Sequence, residues 1–218
     1  MRRLIMLLAI ALVAATATPT RAAEWKQLFN GKDLTGWKQV GPGHFEVANG
    51  LLKTVGGMGL LYYPGGKIGN SVIRVVFKVT QADDNSGVYI RIPIEPREEK
   101  MPIHYGEEVQ IYDKGDEHHC TGVIYSLTAA MARTSKPPGE WNTMEITLDG
   151  PHTVVILNGT KVTDYTEGQP IPERTQDYEP QRGTRPNAGY IGLQNHPHED
   201  KSDSGVFFKE VAIKKLGH

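Results

Sequence analysis

The segment richest in possible chemistry is Glu108-Val109-Gln110-Ile111-Tyr112-Asp113. Read with the two-residue period of a strand, Val109 and Ile111 share one face, and Glu108, Gln110 and Tyr112 share the other. Two further segments carry the same bias. In GVYIRIPI, residues 87–94, Val88, Ile90, Ile92 and Ile94 alternate with Tyr89 and Arg91. In residues 190–194, Ile191 and Leu193 alternate with Tyr190 and Gln194, and His196 continues that outward face if the strand runs on. Three strands thus offer Tyr, Arg, Glu, Gln and His on non-core faces. Aromatic rings stack on the C–H faces of sugars, and planar amides, guanidinium and carboxylate groups bond hydroxyls in pairs. The set therefore suits a carbohydrate. The plain alternative is a row of solvated outward positions, with Arg91 doing no more than pairing with Glu108. Asp113 has core parity, so unless a bulge intervenes it caps a turn.

Other clusters carry less. His118-His119-Cys120 has metal-ligating residue types, and His196-Pro197-His198 could add to it. Neighbours on a strand diverge, however, so His118 and His119 could both ligate only from a loop. Neither a metal nor another cofactor is expected. Asn158-Gly159-Thr160 matches a glycosylation acceptor, but Asn-Gly between apolar runs reads better as a hairpin turn. There is no G-x-S-x-G, P-loop or dinucleotide fingerprint.

The elements that must position these residues are short strands. Val72 to Thr80, Gly87 to Ile94, Trp141 to Leu148, Tyr190 to Gln194 and Val206 to Leu216 alternate or are rich in β-branched and aromatic residues. In the first of these, Ile73, Val75, Phe77 and Val79 share a face. Asn49-Gly50, Asn158-Gly159 and Asp149-Gly150-Pro151 supply turns. A short helix is plausible only around Leu127 to Arg133. Gln169 to Pro186, rich in proline, reads as an ordered surface loop or a lid. About a dozen strands imply an all-β, two-sheet antiparallel sandwich of jelly-roll type.

The chain has 218 residues, of which 39% are hydrophobic and 22% charged, enough apolar surface for a buried core. A net charge of −1 argues against a nucleic-acid partner. A single cysteine, Cys120, excludes an intramolecular disulfide framework. Arg2-Arg3, the apolar run Leu4 to Ala15 and small residues up to Ala23 have the order of a secretory signal. The run is too short to span a bilayer comfortably. The expected division is a signal peptide over residues 1–22 and one domain over 23–218. The processed protein is then periplasmic or secreted, and free of the membrane.

Several motifs in order give the chain a wider resemblance. They are Leu28-Phe29-Asn30-Gly31-Lys32-Asp33-Leu34-Thr35-Gly36-Trp37, Asn85-Ser86-Gly87-Val88-Tyr89-Ile90-Arg91, Glu108 to Asp113, Gly122-Val123-Ile124-Tyr125, Gly139-Glu140-Trp141-Asn142, Leu157-Asn158-Gly159 and Gly189 to His196. Together they resemble the 3-keto-disaccharide hydrolase domain family over about residues 25 to 216. The resemblance implies a concanavalin A-like jelly roll that hydrolyses glycosides already oxidised to a ketone at C3. It also overlays the Glu-x-Asp-x-x-Glu strand of laminarinase-like hydrolases on Glu108, Gln110 and Asp113. The middle acid is Gln here and the last is a shorter Asp, which speaks against double displacement through two carboxylates.

A C3 ketone opens another route, because it acidifies the C2 proton. A base removes that proton, the C1 substituent leaves, and water adds to the unsaturated ketone. On this reading Glu108 is the base and Arg91 clamps the enolate or a hydroxyl. His196, His119 or Tyr125 is the acid. Gln110 and Gln194 position hydroxyls, Tyr89 or Tyr190 stacks, and Asp113 lies near the sugar. The competing reading is a non-catalytic carbohydrate-binding module of the same fold.

Overall fold

A computed structural model describes residues 24–197 and 205–217. The expected signal peptide lies outside the described residues, as does His198. Thirteen strands and one short helix are formed in them: β1 (Lys26–Gln27), β2 (Lys38–Val40), β3 (His44–Ala48), β4 (Leu51–Val55), β5 (Gly59–Ile68), β6 (Ser71–Val79), β7 (Ser86–Ile92), α1 (Met101–Tyr105), β8 (Glu107–Ile111), β9 (Asn142–Asp149), β10 (His152–Leu157), β11 (Thr160–Thr166), β12 (Gly189–Asn195) and β13 (Val206–Lys215).

The strands make two antiparallel sheets. The larger runs β11-β10-β9-β6-β13-β4-β3, with β1 added on β13, and the smaller runs β2-β5-β12-β7-β8. The Asn-Gly turns lie where alternation placed them. Asn49-Gly50 joins β3 to β4 and Asn158-Gly159 joins β10 to β11, all four residues with positive φ, as a type I′ hairpin requires.

The period-2 faces meet between the sheets. Ile73, Val75, Phe77 and Val79 of β6 join Met144, Ile146 and Leu148 of β9, Val88 and Ile90 of β7, Val109 and Ile111 of β8, and Ile191 and Leu193 of β12 in one core. Phe208 sits within it, 6.2 Å from Phe45 and 6.5 Å from Phe77 between ring centroids. The smaller sheet is covered on its other face as well. There Leu60, Tyr62, Tyr89, Ile92 and Met101 form a second cluster with Ile103 and Tyr190 against it. That second cluster, part sheet and part α1, is the floor and wall on which the polar side chains stand.

Two expectations are corrected. The helix is α1, with Pro102 in its first turn, and not 127–133. In the latter segment Ala130 N–H donates to Glu117 O and Met131 N–H to Val162 O, so the backbone pairs with neighbouring chain instead of coiling on itself. Also, the run Val88, Ile90, Ile92, Ile94 does not share one face. Arg91 has φ +53°, which inverts the parity of β7. Ile92 consequently joins the outer cluster, and Ile94 is exposed.

Candidate functional site

A cavity of about 310 Å³ opens on the outer face of the smaller sheet, lined by Met58, Asn85, Ile103, Glu108, Gln110, Tyr125, Tyr178, Gln194 and His196. That volume lies at the small end of the usual range for small-molecule sites. β8 contributes Glu108 and Gln110, and β12 contributes Gln194, with His196 just past its end. Val109, Ile111 and Leu193 are drawn into the core, and the pleat turns their polar neighbours outward.

Glu108 is outward by parity yet only 3% exposed. Gln194 Nε2 donates to Glu108 Oε2 at 3.0 Å and to the Tyr89 hydroxyl at 2.7 Å. Glu108 Oε1 has no hydrogen-bond partner. Burial pushes the carboxyl from its ordinary 4.5 up to about 8, against the pull of the Gln194 and Tyr89 hydrogen bonds. Space for it comes from the neighbouring strand. Gly87 of β7 lies opposite Gln110 and beside Glu108, and a Cβ there would overlap Glu108 Oε1 and come within 2.6 Å of its Cγ.

The remaining cavity groups surround this carboxyl. Gln110 Nε2 donates to Asn85 Oδ1 at 3.0 Å, whereas Gln110 Oε1 and Gln194 Oε1 are buried without partners. Tyr125 is half-buried. Its phenol is pushed above the ordinary tyrosine range by burial, and further by Glu108, Tyr178, Glu179 and Asp116. It therefore stays protonated as a donor. His196 Nδ1 lies 2.9 Å from Pro197 O. Met58 and Ile103 give the cavity apolar surface, and Tyr178, 64% exposed, stands at its rim.

Tyr178 comes from the proline-rich stretch, which is an ordered loop. Arg185 donates to Gly106 O, His104 O, Gly183 O and Gln181 O, tying the loop to α1. Arg182 bonds Glu179, and also Pro172 O and Pro180 O within the loop.

Several residues expected at the site lie elsewhere or play a different part. Arg91 does not share the face of Tyr89. Its inverted backbone sends the side chain into the sandwich, where Nη1 and Nη2 donate to Pro186 O, Gly150 O, His152 O and Thr153 Oγ1, and Nε lies 3.3 Å from Glu107 Oε2. Its ion-pair partner is thus Glu107, not Glu108. Burial, with Glu167 nearby, pushes the Glu107 carboxyl well above the usual range although Arg91 opposes this. Tyr89 is fully buried, accepting from Gln194 and lying beside Glu108, so it has no ring face to stack on a sugar.

Tyr190 packs into the outer apolar cluster away from the lining. Asp113 accepts from Thr121 Oγ1 at 2.7 Å in the turn after β8 and lines a different cavity with Cys120 and Arg133. His119 is held by Asp116 at 2.7 Å, and its ring lies 5.1 Å from that of Tyr125, behind the lining. His118 lies beside Glu117 and Cys120 is buried. Among the described residues no group of three or more His, Cys, Asp or Glu side chains is placed to hold a metal ion. Conversely, Asn85, Met58, Ile103 and Tyr178 line the cavity without having been singled out. Asn85 opens the segment Asn85 to Arg91, and Tyr178 lies in the proline-rich loop, but nothing in their spacing indicates which cavity they line.

These features define a lectin-type two-sheet sandwich with a polar, carboxyl-bearing cavity on its smaller sheet. A model of the family described as the 3-keto-alpha-glucoside-1,2-lyase-like domain matches residues 24–214, and the chain belongs to that family. No curated protein matches it. Among solved structures it is similar to a candidate glycosyl hydrolase of Parabacteroides distasonis, with 28% identity over 88% of this chain and 100% of that one and a TM-score of 0.69. A Bacillus subtilis protein of unknown function with a galectin-like fold has 11% identity, coverage of 89% and 96%, and a TM-score of 0.63. A Bacillus subtilis carbohydrate-binding module has 11% identity, coverage of 83% and 96%, and a TM-score of 0.56. The last two establish a shared fold.

Proposed function

We propose that this chain is a carbohydrate-active enzyme that cleaves 3-keto-glycosides by elimination, with Glu108 as the base. One observation carries the reading: a buried carboxyl in a sugar-sized cavity with Oε2 held by Gln194 and Oε1 left without a partner. Burying a carboxyl with an unpartnered oxygen costs stability, and a perturbed group of this kind in a cleft points to a functional role. A module that only binds can use a carboxylate to accept from hydroxyls but has no need of one with raised proton affinity. The family description supports an elimination, and the similarity to a candidate glycosyl hydrolase supports cleavage of a glycosidic bond.

In the proposed reaction Glu108 Oε1 takes the C2 proton, and charge moves onto the C3 oxygen as an enolate. The electron pair then forms the C1–C2 double bond as the C1–O bond breaks. The leaving oxygen takes a proton. Water adds across the double bond, oxygen to C1 and hydrogen to C2, giving the free 3-keto sugar. His196 and Tyr125 both face the cavity as proton donors to the leaving oxygen, and the Tyr125 phenol, held above its usual range, stays protonated where Glu108 is ionised. Gln110 and Gln194 accept from sugar hydroxyls through their Oε1 atoms, and Tyr178 covers the ring from the rim.

The test is to give the purified protein an aryl 3-keto-glucoside and its unoxidised parent. Release of the aryl group from the keto compound alone is expected. Equal release from both would replace this reading with an ordinary glycosidase. Binding of sugar with no release from either would replace it with a binding module.

A further inference from the structure

The proposed elimination places negative charge on the C3 oxygen, and an enolate of this kind needs a hydrogen-bond donor already in position. Arg91, the donor expected from sequence, is buried in the sandwich and cannot serve. The polar atoms of the cavity can be sorted by what they offer. Glu108 Oε1, Gln110 Oε1 and Gln194 Oε1 are all acceptors, buried and without partners. They suit hydroxyls and repel an enolate. The donors in the lining are Tyr125, His196 and Asn85.

Asn85 is fixed in a way the others are not. Gln110 Nε2 donates to Asn85 Oδ1 at 3.0 Å, so the carbonyl edge of the Asn85 amide is taken and its N–H edge is the one left to the cavity. The backbone on either side is anchored. Asp84 Oδ2 accepts from the N–H groups of Thr80 and Gln81 and from the Thr80 hydroxyl, and the Ser86 hydroxyl donates to Gln194 O. Ser86 Oγ thereby ties Asn85's own neighbour to the strand that carries Gln194. The amide is a neutral donor held in place before any charge develops, which is what stabilising a transient oxyanion requires.

We propose that Asn85 is a catalytic residue whose side-chain amide donates to the C3 oxygen of a 3-keto sugar and to the enolate formed from it, with Gln110 orienting that amide. This rests on the reading of Glu108 as the C2 base. Asn85→Ala removes the donor. Asn85→Asp keeps an acceptor for Gln110 but presents oxygen where N–H stood.

Two measurements test it. The first is turnover of an aryl 3-keto-glucoside from pH 5 to 9.5. The second is exchange of the C2 proton in D2O, followed by NMR on a 3-keto-1,5-anhydro sugar, which has no exocyclic group to expel at C1. Loss of one oxyanion donor typically costs about 10²–10³ in kcat. Both variants should therefore lose about a hundredfold or more in kcat and in exchange rate, with KM within about threefold. Asn85→Ala also leaves the buried Gln110 Nε2 without its acceptor and lowers the melting temperature, whereas Asn85→Asp keeps that acceptor. The pH limb of Asn85→Ala should stay where wild type has it, because the base is untouched. Turnover and exchange within about threefold of wild type in both variants would overturn the assignment, as would a loss confined to KM. If wild-type protein neither exchanges the C2 proton nor releases the aryl group, the failure lies with the Glu108 reading, and the role of Asn85 falls with it.

Discussion

Glu108 combines two properties that oppose each other in water: a carboxyl buried to 3% exposure and an oxygen left free to take a proton. Its raised proton affinity makes it a stronger base once ionised. Glu108→Gln keeps shape and hydrogen bonding but removes basicity, and general-base help is typically worth about 10²–10⁴-fold. Turnover of a 3-keto-glucoside is expected to fall at least about a hundredfold; near-normal turnover would send the search to His196. In wild type the ionised form is the active one, so kcat/KM should rise with pH through about 8 and level off above it. Stability runs the other way. Folding raises this pKa above the unfolded value, so the neutral carboxyl is favoured in the fold. Its stabilising contribution is full below about pH 4.5 and is lost as pH rises through about 8. Glu108→Gln carries no such loss. Its melting temperature should gain on that of wild type between pH 5 and pH 9, a comparison readable by calorimetry.

At the scale of the element, β7 makes the site possible by what it lacks at one end and by what it inverts at the other. Gly87 leaves room for the Glu108 carboxyl. Its φ is not in the left-handed region, so Gly87→Ala introduces a steric conflict with Glu108 rather than backbone strain. A 1 Å misplacement of a reacting group can cost about 10²-fold, and a loss of about that size is expected with the fold retained. Unchanged kinetics in Gly87→Ala would show that Glu108 does not act from its present seat.

At Arg91 the strand inverts, and Gly189 of β12 allows it. A Cβ at Gly189 would come within 2.5 Å of Arg91 Cα and Ile92 N. Arg91→Ala strips the buried Glu107 of its partner and frees three carbonyls, and breaking a buried pair typically costs about 3–5 kcal/mol. Denaturant unfolding should show a loss of that order, while kcat per folded molecule changes little. A large fall in kcat without a fall in stability would return Arg91 to the chemistry.

At the scale of the whole molecule, the sandwich lets the site stand on a face that is itself padded by apolar residues. The second cluster, around Leu60, Tyr62 and Met101, excludes water from beneath Glu108, and the loop carrying Tyr178 walls the cavity from outside. The proposed export fits a substrate met outside the cytoplasm. Protein recovered from the native host should begin near Ala23 or Glu24 and partition with the periplasm or medium. Mass analysis finding an intact Met1 on the abundant form would refute that.

The sequence by itself determined the strand-and-turn character of the chain and most of its core faces, the end of β7 beyond Arg91 excepted. Alternation is a local property, and Asn-Gly demands positive φ wherever it falls. It also determined that Glu108, Gln110 and Gln194 leave the core face, because they alternate with Val109, Ile111 and Leu193, which must be buried. It could not determine the placement of Arg91, because nothing in GVYIRIPI marks the inversion. That turn of the backbone is permitted by a glycine almost a hundred residues away and made favourable by carbonyls of the opposite sheet. Nor could it separate Asp113 and His119 from the site, or bring Asn85 and Tyr178 into it. Those placements depend on where a turn and two loops settle after the sheets have packed. The depth of Glu108, and with it the proton affinity on which the proposed chemistry rests, was decided by tertiary structure alone. An outward strand position becomes a buried one only when α1, the loop and a neighbouring glycine close around it.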